Sequence, residues 1–140
     1  MQCQNLDSCL RRRLRRRAWM DRKRDFAEAL HSDFVGKLNE GRATLLDSFH
    51  SDYRKIDRLY SARDTLTAVT EGWVIHYSEK PMTITVMSYV RTGNKMYRPI
   101  HVICDVGNPL VWRIITVLDP SERTWKWDEQ YEEQTCFCQH

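Results

Sequence analysis

Between Trp73 and Leu118 the chain carries four short apolar segments rich in β-branched and aromatic residues, each closed by turn residues. They are Trp73–Tyr77, Met82–Val90, Met96–Val106 and Leu110–Leu118. The breaks are Glu79-Lys80-Pro81, Thr92-Gly93-Asn94 and Gly107-Asn108-Pro109. Such connections are too short for a crossover helix, so consecutive segments must pair antiparallel. Upstream the pattern is helical. Phe26, Leu30 and Phe34 (with Ala27, Val35 and Leu38) recur at three- and four-residue spacing from about Asp21 to Asn39. A second helix is expected over Ala43–Tyr60, with Leu45, Leu46, Phe49, Tyr53, Ile56 and Leu59 on its apolar face. Ser61-Ala62-Arg63-Asp64 has the form of a capping box and opens a third, with Gly72 where a left-handed C-cap belongs. After Asp119-Pro120 stops the last strand, Ser121 is expected to cap a final helix reaching Glu133. The expected class is α+β: N-terminal helices packed on a small, twisted, four-stranded antiparallel sheet, with a C-terminal helix.

Charge divides the chain. Of the formal +3, residues 1–24 hold nine basic against two acidic side chains, a local +7, which leaves −4 on residues 25–140. Bulk electrostatics therefore do not drive the body onto nucleic acid, whereas the Arg11–Arg17 run supplies a local basic patch. That run reads as an arm for RNA or an acidic partner, as an organelle transit segment, or as an unselected extension ahead of a natural start at Met20; the last is preferred. The sequence holds neither 18 consecutive apolar residues nor a secretory h-region, so a membrane partner is not expected and a cytoplasmic location is. The five cysteines (Cys3, Cys9, Cys104, Cys136, Cys138) form no regular framework, which fits a reducing compartment.

Three constellations have chemical content. His50, Arg54 and Arg58 stand four residues apart and would stack along one stripe of the second helix. With His101 on a facing strand they would supply the base, the acid and the phosphate-binding cations that metal-free RNA cleavage requires. The plainer alternative is a solvated helix face neutralised by Glu40, Asp52 and Asp57, and a core histidine at 101. Strand alternation places His101 with Pro99 and Ile103, opposite Arg98, Ile100 and Val102. Tyr89, Arg91, Lys95, Tyr97 and Arg98 crowd the second hairpin, a mixture suited to stacking and phosphate contact with single-stranded RNA, or simply to solubility. Cys136-Phe137-Cys138-Gln139-His140 offers zinc-ligand types, but Cys-x-Cys is not the usual knuckle spacing. Cys3 and Cys9 could complete a site only if the termini meet. The expectation is accordingly no metal and no cofactor.

His50-Ser51-Asp52-Tyr53-Arg54-Lys55-Ile56-Asp57-Arg58, the helix ending at Gly72, the His101-Val102 pair, and Ile114-Ile115-Thr116-Val117-Leu118-Asp119-Pro120 with Trp125 together resemble a bacterial domain of unknown function. That family is grouped with the RelE, ParE and BrnT toxins of type II toxin–antitoxin pairs. The resemblance covers about residues 42–132 and implies a RelE-like fold. The resulting organisation is a basic extension (1–20), disordered or helical, an additional helix (21–41), the RelE-like α+β domain (42–133) and a tail (134–140). The resemblance further implies a toxin-type, metal-independent endoribonuclease using His50, Arg54, Arg58 and His101, with Tyr89, Arg91, Lys95, Tyr97 and Arg98 on RNA. Its partners would be an antitoxin or another protein, with RNA or the ribosome as target. The competing expectation is a non-catalytic protein–protein interaction module of the same fold.

Overall fold

The computed structural model describes residues 2–47 and 60–139. One helix, α1 (Leu6–Asn39), is capped by Asn5, whose side chain accepts from the Ser8 backbone N–H. Its 34 residues span about 50 Å. No helical break falls at residue 20: the basic segment and the following amphipathic stretch form a single rod.

The remaining elements are β1 (Thr44–Asp47), α2 (Ala62–Glu71), β2 (Trp73–Glu79), β3 (Met82–Gly93), β4 (Met96–Asn108), β5 (Val111–Leu118) and a 3-10 segment (Pro120–Lys126). They build a mixed five-stranded sheet ordered β1-β5-β4-β3-β2. The expectation of four antiparallel strands is thus corrected. The four are present and antiparallel, and β1 adds a fifth, parallel to β5. Leu45 and Leu46 were expected on a helix, yet they pair with Trp112 and Arg113. A two-residue apolar run satisfies either period, and the free β5 edge decides between them. The rest of the expected second helix, including His50, Arg54 and Arg58, lies outside the described residues.

One sheet face makes the core. Ile84, Val86, Val90, Ile100, Val102, Cys104, Trp112 and Ile114 are buried there against α2 and the C-terminal half of α1. Phe34 stacks on Trp112 with ring centroids 4.1 Å apart, a pair contributing about 1 kcal/mol beyond its area. Phe26 departs from the expected apolar stripe. It is 51% exposed and meets the Tyr77 ring edge-on, while neighbouring Ala27 is fully buried. The N-terminal half of α1 runs past the β2 edge, where the Trp19 indole N–H donates to the Tyr77 carbonyl at 2.7 Å. That contact shields an otherwise open strand edge.

α2 carries the expected capping box: Ser61 Oγ accepts from the Asp64 N–H and Asp64 accepts from the Ser61 N–H. Gly72, however, is extended (φ −81°, ψ −171°) rather than left-handed. Glycine is required for space, since a Cβ there would lie 2.3 Å from the Met87 carbonyl oxygen and 2.4 Å from that of Ala68. The expected C-terminal helix is also corrected. Asp119 caps a single 3-10 segment that kinks at Arg123, and the chain then continues as an irregular strap with one bridge, Trp127 to Gln134. Asp119 is mostly buried and occupied by Arg98 and Ser121, which holds this turn tight against the sheet. Among the described residues no helix is long and apolar enough to cross a membrane.

Candidate functional site

The second sheet face carries the candidate chemistry. Register places Met87 opposite His101, Tyr89 opposite Pro99 and Arg91 opposite Tyr97, while Ile103 pairs with Thr85 and Thr116. Directly paired residues share a face, so His101 shares one with Tyr89 and Thr116. Arg98, Ile100 and Val102 point to the core side, as alternation requires.

The strap closes over this face at His101. The imidazole is 1% exposed, its Nε2 lies 2.6 Å from the Tyr131 carbonyl, and Trp127 packs edge-on at 4.6 Å. A carbonyl only accepts, so Nε2 carries the proton and Nδ1 is the lone-pair nitrogen. Nδ1 is buried and has no hydrogen-bond partner among the described residues. Burial pushes the imidazole pKa down to about 4, against weaker upward pulls from the Tyr131 carbonyl, Asp119 and Asp128. At neutral pH this histidine is uncharged and sealed beneath the strap.

Beside it lies a cleft of about 980 Å³ between α1, the outer sheet face and the strap, lined by Arg16, Arg24, His76, His101, Lys126 and Glu132 among others. Sequence reasoning missed His76. Strict alternation assigns it to the same face as Val74, but a bulge between Val74 and His76 resets the phase. Trp73 and His76 thereby pair with Met87 and Thr85 on the outer face. Burial, reinforced by the Arg16 charge, lowers the His76 pKa to about 4. General acid–base catalysis needs a proton donor as well as a base. Both cleft imidazoles are neutral at pH 7, so neither is poised as the acid.

The hairpin residues separate. Tyr89, Arg91 and Tyr97 share the outer face and are exposed, Tyr97 at 62%, and Lys95 is exposed in the connecting turn with φ 60°. Arg98 leaves the group: its guanidinium donates to Asp119 at 3.0 Å, fastening the start of the 3-10 segment. Tyr89 sits under an acidic influence. Its pKa is raised by desolvation first and then by Tyr131, Glu132 and Asp128 of the strap.

The termini meet. Cys3, just ahead of α1, and Cys9 in its first turn lie against Cys136 and Cys138 of the strap, and the four sulfurs are all within 4.8 Å of one another. The requirement that the termini meet before Cys3 and Cys9 can complete a site is therefore fulfilled, with His140 outside the described residues. The Cys138 thiol is lowered to about 7, first by the Gln4 backbone N–H and then by hydrogen bonding from Cys136. Cys104 is a fully buried core residue whose thiol is pushed up to about 12 by desolvation.

Comparison with protein-family models, curated proteins and solved structures returned no match.

Proposed function

We propose that the chain is a protein-binding module of RelE-like architecture whose docking element is the far end of the β3–β4 hairpin. The observation that carries this is the ribbon's exposure. β2 pairs with β3 only as far as Met87, and β5 pairs with β4 only back to His101. Ser88–Gly93 and Met96–Ile100 therefore continue beyond the rest of the sheet as a two-stranded ribbon. It presents Tyr89, Met96 and Tyr97 at 44%, 63% and 62% exposure, with exposed Arg91 between them. Tyrosine, methionine and arginine are the types enriched in protein interfaces.

The two edges of the ribbon differ. On the β4 side Pro99 lacks an N–H and its carbonyl accepts from the Tyr60 hydroxyl. The β3 side, Ser88 to Thr92, has no strand beside it among the described residues. A partner segment adding as a strand along β3 would gain main-chain hydrogen bonds there and side-chain contacts on the tyrosines. A protein is favoured over RNA because residues 25–140 carry a net −4, which repels phosphate. The endoribonuclease alternative draws on His50, Arg54 and Arg58, and its fourth residue, His101, is the sealed one.

The test is purification of the tagged chain from its own cells, alongside Tyr89→Asp/Tyr97→Asp. A stoichiometric protein retained by the wild type and lost with the folded variant supports the reading. RNA fragmentation and growth arrest on induction, abolished by folded His101→Ala, would overturn it and restore the nuclease.

A further inference from the structure

We propose that Cys3, Cys9, Cys136 and Cys138 form a tetrathiolate site for one zinc ion that joins the start of α1 to the C-terminal strap. The inference stands apart from the protein-binding reading, because it uses different residues at the opposite end of the strap.

Spacing is the first argument. Four sulfurs placed tetrahedrally at about 2.3 Å from zinc lie about 3.8 Å from one another. The Cys3–Cys138 and Cys9–Cys138 sulfur separations are both 3.9 Å. No pair among the four exceeds 4.8 Å, so a modest contraction completes the tetrahedron. Disulfides would need a sulfur–sulfur distance near 2.05 Å. The cluster also involves all four sulfurs in one group rather than two separate pairs.

The surrounding backbone is the second. The Phe137 N–H donates to Cys9 Sγ at 3.3 Å. Backbone N–H groups of Asn5 and Gln4 serve Cys3 and Cys138 respectively. Main-chain donors aimed at sulfur orient it, as outer-shell partners of metal ligands do. Cys136 and Cys138 stand two residues apart in the tail, and both sulfurs reach the same cluster. The helix start brings Cys9 up to them.

Charge is the third. Four thiols binding one Zn²⁺ release four protons and leave a complex of net charge −2. Two arginines of the basic run of α1 lie beside that position. The Arg12 and Arg16 guanidiniums sit over the Phe137 ring at 4.3 and 5.2 Å, between the two strap cysteines. The Lys126 ammonium donates to the Cys138 carbonyl at 2.7 Å. Arg12 and Arg16 thus gain a local role as counter-charge to the dianion. Soft thiolates select zinc over magnesium, calcium or manganese. With four protein sulfurs the site leaves no open position, so the ion is structural.

The test measures metal in the full chain purified under reducing conditions. The expected content is about one zinc per chain. It should fall at least about tenfold in Cys9→Ser and in Cys136→Ser, and stay unchanged in Cys104→Ala. Because a serine variant can misfold, metal-free wild type is also titrated with Co²⁺, which should give the visible absorption of a tetrahedral thiolate complex at one equivalent. Failure of Co²⁺ to produce that spectrum, with all thiols free, would overturn the site. So would intramolecular disulfides joining these four cysteines in the reduced preparation, and stoichiometric iron in place of zinc would overturn the choice of metal.

Discussion

At the residue scale, the environment of a side chain decides more than its identity. Alternation alone separates His101, with Pro99 and Ile103, from Arg98 on the opposite face, but does not say which face is the outer one. That Trp127 and the Tyr131 carbonyl close over His101 was not legible, because both lie about 30 residues downstream in a segment without periodicity. The depressed pKa carries a consequence for stability. An unfolded histidine takes up its proton near pH 6.5, whereas His101 in the fold does so near 4. Between those values the unfolded state binds more protons, so stability is fully present above about pH 6.5 and falls as pH drops toward 4. Comparing wild type with His101→Gln by urea unfolding at pH 7 and pH 4 should show an acid-induced loss larger in wild type by on the order of 3 kcal/mol. Equal losses in both proteins would mean that the imidazole can leave its cover without cost.

At the element scale, the four antiparallel strands and their turns followed their local signals, and the helices did so unevenly. The α2 capping box could be read directly, since the Ser61 and Asp64 side chains each accept from the other's backbone N–H. β1 could not, because four residues acquire strand character from β5. The 3-10 segment was mistaken for a full helix for a similar reason: Asp119, fixed by Arg98 from β4, imposes the tighter turn. The α2–β2 junction depends on the missing side chain of Gly72. Gly72→Ala should cost about 2–3 kcal/mol, because the methyl meets two backbone carbonyls that cannot rotate away. Chemical denaturation measures this directly, and a loss below about 0.5 kcal/mol would show that the junction relaxes.

At the scale of the whole molecule, α1 acts as a tie between the two sheet faces. Its C-terminal half fills the core through Ala27 and Phe34, and its N-terminal half holds the strap through Arg13 and Arg17 on Glu133 and Cys9 beside Phe137. A chain begun at Met20 retains the first set of contacts and lacks the second. Hydrogen exchange on that shortened chain should show residues 127–139 losing protection while β3 and β4 keep theirs. Unchanged protection in the strap would mean that Trp127 and Trp73 on the sheet suffice to hold it.

The sequence by itself determined what depends on neighbours in the chain: helix period, strand alternation, turn positions, the capping box and the split between a basic end and an acidic body. Local geometry repeats every 2 or 3.6 residues and is written into near-neighbour patterns. The tertiary structure alone decided what depends on distant segments: the fifth strand, the bulge that turns His76 outward, the sealing of His101, and the meeting of cysteines 135 residues apart. None of these has a local signature, since each arises where the packed sheet brings together residues whose separation along the chain carries no periodic signal.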